Sequence, residues 1–331
     1  MGRLITGALA LGGPVAYGVV AGQLAHGSFA ALGALAIGHL VDPRGRVLLV
    51  DDRGQVSRVR QGSRLVGGGA AGLVVTGAAV GGVWLGGRGF GGGAGVVLLA
   101  AIAAVIGGFN RWLADATARF ITFLVLATGL AGAGVWEVGR WFTLGVLWAL
   151  LLTLAVQPVV HVPGPAPTYR QLWRRWKGNL TRLEGWRYAI ILVPPLAIAM
   201  AIGGWWHHER AYWIALAVVI VVRRRGDSLL RATQRCLGTC AGVLIGAALI
   251  LWVPPSWAIV AVVTVLAGLR PLLKERNYAA YATIMTPLVV LLLDLGRTPD
   301  LSTVGYRLID TVLGCLLAII PTLVLRRRDV A

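Results

Sequence analysis

Apolar stretches long enough to cross a bilayer recur from one end of this 331-residue chain to the other, and that pattern belongs to a polytopic membrane protein. They lie near residues 4–22, 26–41, 65–86, 92–109, 119–135, 141–160, 188–206, 210–222, 232–252, 256–273, 278–296 and 304–325. At about 20 residues per crossing, twelve spans take about 240 residues and leave about 90 for loops and tails. No soluble catalytic domain fits in that remainder. The composition agrees, with 57% apolar residues, 13% charged residues and a mean hydropathy of +0.77. Met1, Gly2 and Arg3 lead into an apolar run from Leu4 to Gln23. Its length and the spans that follow favour an uncleaved first span over a signal peptide.

The basic residues set an orientation, because loops facing the cytoplasm collect Lys and Arg. With the N-terminus inside, all of the 31 Lys and Arg except Arg88, Arg140, Arg210, Arg297 and Arg307 fall on the inner side. The inner set includes Arg44, Arg46, Arg53, Arg58, Arg223, Arg224, Arg225, Arg326, Arg327 and Arg328. The expectation is an all-α membrane protein of about 12 transmembrane helices, both termini cytoplasmic, in the inner or plasma membrane. The net charge of +18 then reads as an orientation signal, and no nucleic-acid partner is implied.

One substantial linker divides the chain. His161, Pro163, Pro165 and Pro167 break any helix there. Beyond them Tyr169, Trp173, Trp176, Leu180 and Leu183 recur every three to four residues, interleaved with Arg170, Arg174, Arg175 and Lys177. That spacing suits a helix lying in the cytoplasmic interface of the bilayer. Three units follow: a first six-span region at 1–160, a linker at 161–187 and a second six-span region at 188–331. Six spans return the chain to its starting side, so the two regions must be parallel repeats. The same signature opens a long apolar run in each: Arg60-x3-Arg64-x2-Gly67 in one, Arg231-x3-Arg235-x2-Gly238 in the other. Glycines continue at Gly68 and Gly72, and at Gly238, Gly242 and Gly246. Such small faces let helices approach closely in lipid.

The second half also carries Tyr212-Trp213, Thr239, Arg276-Asn277-Tyr278 with Thr283 and Thr286, and Arg307-x2-Asp310-Thr311-x2-Gly314. In this order and spacing the chain resembles the fusaric acid resistance and aromatic acid exporter family, whose wider superfamily includes plant aluminium-activated malate channels. In the first half, Ala30-Ala31-Leu32-Gly33-Ala34 and Asp42-x2-Gly45 look like the corresponding opening, with the later signatures eroded. The resemblance implies export of aromatic or other weak organic acids across the inner membrane. Larger members of that family carry a sizeable cytoplasmic domain, where this chain has only 161–187.

Physical chemistry points to an anionic cargo independently. A carboxylate entering a low-dielectric region must exchange its hydration for fixed positive charge or hydrogen-bond donors. Arginine stays protonated and grips a carboxylate through two parallel hydrogen bonds. Arg235, one turn inside Arg231, is the first candidate, with Arg64 and Arg60 as repeat mates; for each, snorkelling to the headgroups is the competing role. Arg276, Asn277, Tyr278, Thr283 and Thr286 offer further donors, although Ser and Thr often bond only the helix backbone. Asp310 lies within a span, about 9 Å from its outer start at ~1.5 Å per residue, and Arg307 shares its helix face. The pair serves either as a proton carrier coupled to anion movement or as a structural ion pair. Glu137 and Arg140 stand at a comparable place in the first half, in reversed order.

Other chemistry finds little footing. Cys236 and Cys240 share a helix face with Cys315 distant in sequence, and His207-His208 sit beside Glu209; neither group has metal-site spacing. No phosphate-binding glycine loop or paired-aspartate motif occurs, so no cofactor and no enzymatic activity are expected. Trp205, Trp206, Trp213, Trp252 and Trp257 suit an aromatic belt at the outer interface. Three classes remain: a proton-driven exporter of small organic anions, a passive anion channel, and a noncatalytic scaffold using the basic 161–187 helix. The partners implied are the organic anion, protons and the lipid bilayer, and the glycine faces serve a monomer or a homodimer alike.

Overall fold

A computed structural model describes residues 2–37, 61–156, 169–181, 183–206, 212–222, 228–252, 255–294 and 301–328. Among these residues the chain is all helix, with no strand. The first six helices are α1 (Gly2–Val20), α2 (Leu24–Ile37), α3 (Gln61–Leu85), α4 (Gly89–Ile106), α5 (Arg111–Thr128) and α6 (Val135–Val156). After α7 (Tyr169–Leu180) come α8 (Leu183–Trp205), α9 (Tyr212–Val221), α10 (Ser228–Trp252), α11 (Ser256–Arg276), α12 (Tyr278–Asp294) and α13 (Leu301–Arg328). By length and composition α3, α4, α6, α8 and α11 can each cross a membrane, while α1, α2, α9 and α12 are shorter apolar helices. Charges fall inside the other long helices: Asp115 and Arg119 in α5, Arg231 and Arg235 in α10, Arg307 and Asp310 in α13.

The order of helix pairing in the first six helices recurs in the last six. In the first, α1 packs on α2 and α6, α2 on α6, α3 on α5 and α6, and α4 on α5. In the last, α8 packs on α9 and α13, α9 on α13, α10 on α12 and α13, and α11 on α12. Contacts between the two sets match as well, α1 on α11 answering α4 on α8, and α5 on α9 answering α2 on α12. Among the described residues, α3 on α4 is the one pairing without a clear counterpart. Local detail follows the same order. Asn110 caps α5 by accepting from the Leu113 amide at 2.7 Å, and Asn277 caps α12 by accepting from the Ala279 amide at 2.9 Å.

Glycine makes the tight pairs. A Cβ on Gly33 would run into the Phe142 carbonyl, and one on Gly145 into the Ala30 carbonyl, so α2 and α6 touch backbone to backbone. Gly314 meets the Ile214 carbonyl in the corresponding α13–α9 pair. Gly238 and Gly242 of α10 lie against the Ala279 and Thr283 carbonyls of α12, and Gly82 of α3 and Gly86 just beyond its end lie against Leu124 and Thr128 of α5. Where hydrocarbon surrounds the protein, such packing supplies the association energy that water-driven burial cannot.

The amphipathic pattern at 169–180 forms α7, which rests on α8. Trp173 and Trp176 gather around Phe109 at the end of α4, and the Trp176 indole donates to the Val105 carbonyl at 3.4 Å. Arg170, Arg174, Arg175 and Lys177 remain exposed. The expected helix breaker at His161, Pro163, Pro165 and Pro167, and the His207-His208 pair, lie outside the described residues. Replacing Gly145 with Val should cost about 1–3 kcal/mol by overpacking the α2–α6 seam, read as a lower thermal midpoint in detergent. Gly77→Val, with nothing within 4 Å of its added carbon, should leave the midpoint near wild type.

Candidate functional site

A cavity of about 380 Å³ lies where α2 and α5 meet the second set of helices. Leu35 and Ala36 of α2, together with Asp115, Arg119 and Phe123 of α5, form one wall. The opposite wall comes from α9, α11 and α12, including Trp213, Val219, Arg270, Lys274, Tyr278 and Tyr281; Arg235 of α10 and Arg307 of α13 complete it. Along α12 the lining runs from Tyr278 to Val289, eleven residues or roughly 17 Å at ~1.5 Å per residue. Five cations and one carboxylate therefore share a space bounded by apolar helices.

Arg235, Arg270 and Arg307 are deeply placed, whereas Lys274 is exposed. Arg270 is 2% exposed, and neither its Nε nor its Nη1 meets a hydrogen-bond partner among the described residues. Arg235 is 6% exposed with its Nε in the same condition, as is Nη1 of Arg119. Arg119 and Arg270 are close enough to repel, while Asp115 attracts Arg119, and Tyr281 faces Arg270. The Arg307 guanidinium lies flat over Trp213, 3.7 Å from the ring centre. Asp310, 1% exposed, is buried three residues along α13 from Arg307, within its electrostatic reach, and its Oδ2 has no hydrogen-bond partner among the described residues.

The residues singled out by sequence divide into three groups. Arg235, Tyr278 and Arg307 line the cavity together. Arg276 is exposed, Asn277 caps α12, and Thr283 and Thr286 donate to the Ala279 and Ala282 carbonyls at 3.0 Å inside the α10–α12 seam. Arg64 and Arg231 belong to described helices, but their side chains lie outside the described residues, as does Arg60 altogether. Cys315, distant in sequence, meets Cys236 across α13 and α10. Glu137 turns to a partner that its sequence neighbourhood does not suggest. It pairs with His26, which stacks on Trp141 with ring centres 4.7 Å apart.

Sequence reasoning passed over Arg119, Arg270, Lys274, Tyr281 and Asp115. Arg270 and Lys274 stood among the basic residues of the cytoplasmic side, one turn apart at the end of an apolar run. A charge placed before Pro271, a full turn inside the helix end, was the available signal.

Buried guanidinium groups with open donors, arranged around a cavity, have the chemistry to hold an anion. Residues 198–320 match the family described as fusaric acid resistance protein-like. That segment contains α9, α10, α11 and α12, and with them most of the cationic wall. Similar curated proteins are "Uncharacterized protein YhfK" of Escherichia coli strain K12, 32% identical over 126 residues, and "Uncharacterized membrane protein YvaC" of Bacillus subtilis strain 168, 28% identical over 159 residues. The alignments cover 37% and 46% of this chain but only 18% and 24% of those relatives. No solved structure matches. The apolar helices and the fusaric acid resistance protein-like segment make this a membrane protein.

Removing a buried, unpartnered charge relieves desolvation. Arg270→Met should stabilise the anion-free protein by about 1–4 kcal/mol. The same variant should lose the rise in thermal midpoint that organic anions give the wild type, so a scan with and without anion reads both effects.

Proposed function

We propose that the chain carries aromatic or other weak organic acid anions out of the cell through the cavity between its two six-helix sets, driven by the proton gradient. The observation that carries this reading is the group of cations, buried Arg235 and Arg270 with half-buried Arg119, around a space large enough for a small organic molecule. Tyr278, Tyr281 and Trp213 add aromatic faces and hydroxyl donors to the same walls. The fusaric acid resistance protein-like segment supports the transport class. In this reading the protein is no enzyme, and it occupies the inner or plasma membrane.

The mechanism follows from charge. An anion leaves the cytoplasm by exchanging water for guanidinium donors, a substitution only arginine sustains at every relevant pH. Arg307 and Trp213 stand towards the far end of the cavity from Lys274 and Tyr278, and Asp310 is beside them. Protonation of Asp310 frees Arg307 to receive the anion, and its deprotonation takes Arg307 back and releases the cargo outward. The proton thus moves inward as the anion moves out. The topology that serves this cycle has twelve spans, two parallel repeats about an axis along the membrane normal, and both ends in the cytoplasm.

Purified protein in liposomes, loaded with labelled hydroxybenzoate and given a pH gradient or a membrane potential separately, tests the reading. Accumulation against the acid's own electrochemical gradient is expected with the pH gradient, and with the potential only through the proton entry coupled to it. Potential-driven, dissipative flux would instead make the protein a channel, and no flux of any organic anion would end the transport reading. Asp310→Asn should lower uphill accumulation by about tenfold or more, equivalent to ~1.4 kcal/mol of lost coupling, while leaving passive exchange. Wild-type accumulation by that variant would remove Asp310 from the cycle.

A further inference from the structure

Two of the membrane-crossing helices, α4 and α8, run antiparallel, since Gly93 faces Met200 and Gly204 faces Phe90. The apolar stretch of α4 ends at Ile106 and that of α8 begins at Gly185, so the two leave the hydrocarbon at one level. α7 is fastened at that level. Its Trp173 and Trp176 pack on Phe109, and the Trp176 indole reaches back to the Val105 carbonyl. From the other side, the Trp186 indole of α8 donates to the Leu180 carbonyl at 3.0 Å. The apolar side chains within the spans next to it, Ile102, Ile106 and Ile190, are exposed, and acyl chains cover them in a bilayer.

The basic side chains of α7 stand at the edge of that surface. Arg170, Arg174 and Lys177, at i, i+4 and i+7, form one exposed stripe. Lys177 lies over the Trp173 ring, 5.6 Å from its centre. No acidic residue occurs from 169 to 181. Like charges four residues apart destabilise a helix, so Arg170 and Arg174 call for an anion from outside the chain. Phosphate groups are concentrated at this depth of an anionic bilayer, and their oxygens accept from guanidinium and ammonium donors. Exposed tryptophan, here Trp173 and Trp186, suits the same depth.

We propose that α7 and the adjoining ends of α4 and α8 form a binding site for an anionic phospholipid. Arg170, Arg174 and Lys177 hold its phosphate, and its acyl chains lie along Ile102, Ile106 and Ile190. The inference stands apart from the anion cavity and concerns how the two sets of helices are joined. Because α4 belongs to the first set and α8 to the second, a lipid seated here covers the seam between them. Preference for a lipid over free phosphate comes from the apolar surface, which only a molecule with chains removes from water.

Native mass spectrometry of the full chain, released from neutral detergent, tests this with two probes. Dioleoyl phosphatidylglycerol and dioleoyl phosphatidylcholine share their chains and differ in net charge. The anionic lipid should bind about tenfold or more tighter, since each basic side chain near an anionic headgroup is worth about fivefold. Arg170→Gln, Arg174→Gln and Lys177→Gln combined should shrink that preference to within about threefold. All three side chains are exposed, so the thermal midpoint in detergent should stay near wild type. Arg88→Gln, at the opposite end of α4, should keep the preference. Equal binding of the two lipids, a preference that survives the triple variant, or one lost as fully in Arg88→Gln would overturn the inference. So would displacement of the lipid by an equal concentration of glycerol 3-phosphate, which would make this a site for free phosphate.

Discussion

A guanidinium in a membrane interior can neither shed its proton nor stay bare against hydrocarbon. Most of what is distinctive here follows from that constraint. Arg119, Arg235, Arg270 and Arg307 ride on four different helices, and each can be tolerated only where those helices meet around a polar space. The space lies where α2 and α5 cross to α12 and α9, the junction between the two sets of helices. Elsewhere tight pairs close through glycine, carbonyl against Cα, and the hydroxyls of Thr283 and Thr286 in such a seam bond to the helix backbone. Tight seams and a charged cavity are complementary consequences of assembling charged helices in lipid.

The class of the protein was legible because hydropathy reports the solvent directly. Twelve apolar stretches and an amphipathic segment in the linker correspond in order to the helices on either side of α7 and to α7 itself. Arg235, Tyr278 and Arg307 were also legible, since each departs from an otherwise apolar or glycine-rich context. Arg270 was hidden by its neighbours. With Lys274 and Arg276 following, it reads as the basic end of a span, and only the packing of α11 against α1 and α12 shows that it is enclosed. Thr283 and Thr286 illustrate the opposite case. Their spacing suggests a polar face, but helix backbone carbonyls satisfy both hydroxyls, and Gly242 packs against that same surface.

Within a shared pairing order the two sets of helices have diverged in chemistry. The first supplies the cavity only through α2 and α5, and of these α5 alone brings charge, in Asp115 and Arg119. The second supplies the remaining cations, and the family match covers its core. Positions equivalent in packing then need not be equivalent in function.

The corners where α2 meets α6 and where α9 meets α13 make that divergence concrete. Each holds a nitrogen-bearing side chain against a tryptophan with a carboxylate beside it: His26, Trp141 and Glu137 in one, Arg307, Trp213 and Asp310 in the other. The roles are exchanged between the partner helices, since the first corner takes its histidine from α2 and its tryptophan from α6, while the second takes its tryptophan from α9 and its arginine from α13. Burial differs too. Glu137 is 43% exposed and can be satisfied by water as readily as by His26, whereas Arg307 and Asp310 are both almost wholly enclosed. A pair open to water contributes little and changes little when its charges move. An enclosed pair beside a cavity is far more sensitive, because a change in either charge leaves the other buried and uncompensated.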